Sequence, residues 1–292
     1  MRDMGQLADV AVGELAVIRD LSCKGPAGEI PLRLFDARSH REKGPALVFF
    51  HGGGFVLGDF DTHAPFCAEA ARQLDMPVIA VDYRLAPEHP FPAAPLDCEA
   101  AARWVAASPP ELGFDVTAIA LCGDSAGGLL SIVTSMALRD EPAQAPVLAQ
   151  FSIYPATDLK NRYRSNQLFA EGYFIGDAEM KWFDQCYAAD MDQWRASPLM
   201  GSQNSMPPTL IVTAGLDPLR DQGRRYAKAC IEQGVPLTYR EARGNIHGFI
   251  NLAKAIPSSV DDIREGLALF KNMVRHQAER LGSSMSEGLY GR

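Results

Sequence analysis

Ser125 lies in LCGDSAGG (121–128), where the apolar run TAIALC gives way to the helix-like LLSIVTSMALRD. A serine so placed is either a nucleophile or a helix cap. The pentapeptide alone does not separate the two, because G-x-S-x-G arises by chance in roughly one chain in ten of this length. A nucleophilic serine needs a base for its proton, a carboxylate to orient the base, and N–H groups aimed at the developing oxyanion. The chain offers a candidate for each. The strand, sharp turn, helix context suits a nucleophile elbow; Gly123 and Gly127 leave room for the turn, and the Ala126 N–H sits at a helix N-terminus, where negative charge is favoured.

HGGGF (51–55) follows the apolar run ALVFF and by itself is a loose loop or an anion-binding turn. Beside an elbow serine it is where hydrolases of this architecture place their other oxyanion donors. Asp217 stands just past TLIVTA in GLDPLRDQG, at the edge where doubly wound sheets carry functional residues, although an N-cap ahead of Pro218 is its structural alternative. Asp221, a helical turn further in, suits structural contacts. Of the six histidines (40, 51, 63, 89, 247 and 276), His247 follows the last strand in the Gly-bounded loop GNIHGF. The order Ser125, Asp217, His247 is that of α/β-hydrolases and not of trypsin-like enzymes.

The elements that must position these residues alternate. Segments 14–21 and 29–37 read as a hairpin around CKGPAGE. Five solid apolar runs follow, at 46–50, 77–81, 117–122, 147–154 and 209–214, with a last strand near 237–242. Runs without alternation suit strands covered on both faces, and the helical stretches between them give the βαβ rhythm of a doubly wound sheet. The segment DDIREGLALFKNMVRHQAERL closes the chain as an amphipathic helix, and the tail LGSSMSEGLYGR is expected to fray. Residues 158–205 break the rhythm and carry Phe169, Tyr173, Phe174, Trp182, Phe183, Tyr187 and Trp194. They read as a helical insertion whose aromatics are its own packing or a pocket wall.

The composition narrows the class. A chain of 292 residues, 47% hydrophobic, can bury a large core, and a formal charge of −8 without a basic stripe argues against nucleic acid or anionic lipid as partners. No stretch resembles a signal peptide or a membrane span, so a cytoplasmic protein is expected. Six scattered cysteines read as buried free thiols, and neither a metal nor a cofactor is called for.

Taken together, HGGGFVLGD, VDYRLAPEHPFPAA, GDSAGG, Tyr154–Pro155, DPLRDQG and IHGF resemble the hormone-sensitive-lipase-like family of α/β-hydrolases over about residues 25–280. The resemblance implies an α/β-hydrolase fold with a mostly parallel eight-stranded sheet, flanking helices and a small helical cap on a single domain of residues 1–292. It implies Ser125, Asp217 and His247 as a triad. The amides of Gly53, Gly54 and Ala126 would form the oxyanion hole, Gly52 would line the same turn, and His51 would hold the glycine loop by hydrogen bonding. DYRLAPEHPFPAA would help support the loops. The chain departs from the family where Ala64 replaces an acidic residue and Leu129 an asparagine, and the N-terminal cap element (1–13) is shortened, leaving 158–205 to do most of the covering.

The expected reaction is hydrolysis of short to medium acyl esters through an acyl-enzyme. A lactone or other acyl hydrolase, a peptidase or a thioesterase would use the same triad. A non-catalytic receptor on this fold would lack the histidine that His247 supplies. A small-molecule ester is the expected partner, with a homodimer allowed for.

Overall fold

The computed structural model describes residues 8–290, with side chains through Ser283. One eight-stranded sheet runs in the order β1-β2-β4-β3-β5-β6-β7-β8. Its strands are β1 (Val17–Gly25), β2 (Gly28–Asp36), β3 (Lys43–Phe50), β4 (Val78–Val81), β5 (Asp115–Asp124), β6 (Val147–Ile153), β7 (Thr209–Leu216) and β8 (Leu237–Ile246). The first two form the expected hairpin, with β1 reaching further into CKGPAGE to leave Pro26–Ala27 as the turn. They join the rest antiparallel at β2/β4, and β3 to β8 are parallel.

Helices cover both faces, which is why the inner strands are solidly apolar. On one face α1 (Ala64–Leu74) and α7 (Ser259–Tyr290) pack Cys67 and Phe270 with Phe49, Cys122 and Phe151. On the other lie α2 (Ala93–Ala106), α3 (Ala126–Asp140) and α6 (Arg220–Glu232), burying Val48, Leu121 and Leu130 and, further along, Ile132, Ile211 and Tyr226. Between β6 and β7 the chain makes two short α-helices, α4 (Arg164–Leu168) and α5 (Asp177–Tyr187), and one 3-10 turn at Pro198–Met200. Ala64 and Leu129, the departures from the family pattern, are both buried apolar side chains. The six cysteines are free, five of them buried.

Two expectations are corrected. β8 continues past residue 242 to Ile246, so GNI of the Gly-bounded loop GNIHGF is strand and His247 follows directly on its end; the β7/β8 register shifts between Ala214 and Leu216, where a Cβ on Gly215 would strike the Arg243 backbone. The tail is not frayed through its length, because α7 runs on through it to Tyr290. Of the N-terminal cap element, residues 1–7 lie outside the described part, while Ala8 is held by the Lys254 and Ala255 amides.

Candidate active site

Four strands end at one edge of the sheet, and each hands on a residue singled out above. His51 and the glycines follow β3 at Phe50, Ser125 follows β5 at Asp124, Asp217 follows β7 at Leu216, and His247 follows β8 at Ile246. A parallel sheet with register fixed across β3, β5, β6, β7 and β8 therefore sets the spacing of side chains that are far apart in sequence.

Ser125 holds φ 56° and ψ −117°, a conformation costly for a residue with a side chain, by about 1–3 kcal/mol. It persists because the turn is clamped. The Ser125 N–H donates to Ile153 O at 2.9 Å, and its carbonyl accepts from Leu129 and Ala156 at 3.1 and 3.2 Å. Gly127 is packed so tightly against the Phe50 and His51 carbonyls that no Cβ fits there. Ser125 occupies the N-cap position of α3 but makes no side-chain capping bond. Its Oγ instead lies 2.8 Å from His247 Nε2.

His247 Nδ1 lies 2.8 Å from Asp217 Oδ2. A carboxylate facing an imidazole nitrogen accepts, so Nδ1 carries the proton and Nε2 is left as the acceptor for the serine O–H. Asp217 is fully buried, and its other oxygen, Oδ1, accepts the Leu219 N–H at 2.7 Å. Its structural alternative is thus partly realised, since it organises the turn ahead of α6 while pointing the second oxygen at the histidine. Asp221 makes structural contacts, to Arg220, Arg224 and the Ser165 N–H.

The glycine turn divides its amides. The Gly52 N–H donates to Asp124 Oδ1 at 2.7 Å, so it is engaged within the protein while Gly52 lines the turn. Among the described residues the Gly53, Gly54 and Ala126 amides find no acceptor, and all three residues line one cavity with Ser125 and His247. His51 packs flat on Tyr83, ring centroids 4.3 Å apart, donates from Nδ1 to Gly52 O at 2.8 Å and accepts the Tyr83 O–H on its carbonyl at 2.7 Å. Full burial pushes its pKa down to about 4, so it is neutral at ordinary pH. His40, His89 and His276 are exposed and outside the cavity lining.

Sequence reasoning missed a second buried carboxylate. Asp124, the residue before Ser125, takes the Gly52 amide, the Tyr154 hydroxyl at 3.2 Å and lies 3.2 Å from His63 Nε2. His63 is itself fixed by Thr62 and Asn251. Burial pushes the Asp124 carboxyl up, but the contact with His63 and the Gly52 N–H outweigh it and hold the carboxyl below its usual range. Its identity as the variable position of G-x-S-x-G gave no signal, although an acid buried between Gly123 and Ser125 needs partners.

The cavity has a volume of about 260 Å³. The aromatics of 158–205 divide between wall and packing. Phe174, Phe183 and Tyr187 line the cavity, Phe169 and Tyr173 pack edge to face on each other, Trp194 joins the core, and Trp182 is exposed. The Phe183 ring occupies the space a Cβ on Gly54 would need, and Phe174 does the same at Gly248. An ion pair, Arg162 to Asp184 at 3.3 Å, lies in the wall, which also carries Asp158, Asn161 and Gln222.

Comparison with known proteins agrees with this fold. A family model described as alpha/beta hydrolase fold matches residues 47–251. The carboxylic ester hydrolase LipN of Mycobacterium tuberculosis is 43% identical over 80% of the chain, which spans 65% of LipN's length, just under two thirds. Esterase LipI of the same organism is 36% identical over 88% of the chain and 82% of its own length. Among solved structures, the ester hydrolase EH1AB1 from the metagenome of Lake Arreo superposes with a TM-score of 0.88 at 38% identity, over 94% of the chain and 88% of its own.

Proposed function

The chain belongs to the α/β hydrolase fold family, in its hormone-sensitive-lipase-like branch, and from that premise we propose that it is a serine carboxylic ester hydrolase. The observation that carries the proposal is the continuous relay from Ser125 Oγ through His247 to Asp217, at 2.8 Å in both steps.

In this reading Ser125 attacks the acyl carbonyl while His247 Nε2 takes its proton. His247 returns the proton to the leaving alcohol, and Asp217 stabilises the imidazolium between the two transfers. The Gly53, Gly54 and Ala126 amides receive the oxyanion, each worth about 3–4 kcal/mol of transition-state stabilisation. Their readiness to do so is supported by the lack of any acceptor for them among the described residues. Water then repeats the cycle on the acyl-enzyme. His51 stays out of proton transfer, buried and neutral, as a support for the glycine turn.

Residues 158–205 act as the cap on a single α/β domain, a role supported by the aromatics they contribute to the cavity wall. The names of LipN and LipI support an ester as substrate. Short to medium acyl chains fit both the family resemblance and a cavity of about 260 Å³. The free cysteines favour the cytoplasm.

A series of p-nitrophenyl esters from acetate to palmitate tests the reading. Activity peaking at short to medium chains and falling roughly four orders of magnitude in Ser125→Ala is expected. Hydrolysis by Ser125→Ala near the wild-type rate would refute the mechanism, and a maximum at long chains would refute the preference.

A further inference from the structure

Gln222, in the first turns of α6, is 97% buried and lines the cavity that holds Ser125. Its side-chain orientation is fixed by what it meets. The backbone N–H groups of Thr157 and Asp158 both approach the same atom, at 2.6 and 2.9 Å. Two N–H groups can only donate, so that atom is the carbonyl oxygen Oε1, and the amide nitrogen Nε2 must point the other way. The Gln222 main chain locks the same segment from below, accepting the Thr157 hydroxyl at 2.9 Å.

Nε2 itself has no partner among the described residues, yet it is not among the sealed, unsatisfied atoms. In a residue that is 97% buried, the accessible side is the cavity. The cradle is tied to the nucleophile turn, because Ala156, the residue before Thr157, gives its N–H to the Ser125 carbonyl. The neighbouring polar groups are engaged with one another. Asp158 takes the Lys160 and Asn161 amides, the Asn161 side chain and the Tyr163 hydroxyl, while Arg162 faces Asp184.

Resting on the ester-hydrolase reading, we propose that Gln222 Nε2 is a substrate-binding donor that selects esters carrying a neutral oxygen acceptor, a ketone, ether or hydroxyl, on one arm. A neutral amide donor in a cavity whose wall carries the Asp158 carboxylate and the Arg162–Asp184 ion pair suits an uncharged oxygen and disfavours an anionic one. A purely alkyl arm leaves the amide without a partner, which is the stronger part of the discrimination.

The test compares near-isosteric pairs, each rate divided by the ester's hydroxide-catalysed rate. Ethyl 4-oxopentanoate against ethyl 4-methylpentanoate probes the acyl arm, and 2-methoxyethyl butanoate against butyl butanoate the alcohol arm. We expect wild-type kcat/KM to favour the oxygenated ester by roughly five- to tenfold on one arm. The ratio should fall to one or below in Gln222→Glu, whose carboxylate still accepts the Thr157 and Asp158 amides but has no hydrogen to give. Gln222→Met supplies the same readout should the Glu variant fail to fold. Ratios near one on both arms in the wild type, or a ratio unchanged by either variant, overturn the assignment. Failure of the underlying reading looks different: butyl butanoate itself would not be turned over, or its turnover would survive Ser125→Ala.

Discussion

Asp217 meets His247 with one oxygen only. Oδ2 faces Nδ1, while Oδ1 is held by the Leu219 N–H, so the carboxylate is oriented by the backbone before the imidazole arrives. The two roles separate by substitution. An asparagine keeps an oxygen for Leu219 but offers His247 an amide that favours the wrong tautomer. Asp217→Asn should therefore lose roughly 10³- to 10⁴-fold in kcat, with a melting temperature close to wild type. Asp217→Ala should lose the rate and also melt several degrees lower, as thermal denaturation would record.

The glycine turn is sensitive to a single methyl. Gly54 has φ +62° and its missing Cβ is replaced by the Phe183 ring. Gly54→Ala should cost on the order of 10²-fold in kcat by shifting an oxyanion amide. Gly54→Ala with Phe183→Ala should recover about tenfold of that, measured on a p-nitrophenyl ester. A double variant no faster than Gly54→Ala would mean that the ring contact is not the cause.

Asp124 binds three elements, the Gly52 turn, Tyr154 and His63, in one buried carboxylate. Asp124→Ala leaves these donors unpaired and should lower stability by about 3 kcal/mol or more. Urea denaturation measures the loss, and kcat should fall as well because the glycine turn loses its anchor.

His51 gives the pH dependence of stability a definite sign. Its folded pKa is pushed from 6.5 down to about 4 by burial, so the unfolded chain binds the proton first. The stability it allows is fully present above pH about 6.5, declines by up to about 1.4 kcal/mol per pH unit as pH falls, and levels off below about 4, for a total of roughly 3 kcal/mol. Denaturation midpoints of wild type and His51→Asn between pH 7 and 4 should converge towards acid. Parallel profiles would show that His51 does not carry the slope.

Much of this architecture could be read from the chain because it is local or periodic. The solid apolar runs announced strands buried on both faces, and each of them became one. The glycines around Ser125 and in HGGG marked places where backbone had to pass close to backbone. What could not be read depended on partners distant in sequence. Whether the Gly52 amide is free is decided by Asp124, 72 residues on. The extension of β8 to Ile246 depends on a register shift opposite Gly215 in another strand. Gln222 appeared only as part of DPLRDQG, and its donor is exposed by amides 64 and 65 residues earlier.

The ring of Phe183 standing where Gly54 lacks a side chain couples two properties that evolution often adjusts separately. A change at 183 that reshapes the cavity for a new ester also removes the wall behind an amide assigned to the oxyanion. Selectivity and turnover are therefore drawn along one mutational path here, and variants selected for bulkier substrates should carry compensating changes in residues 52–58.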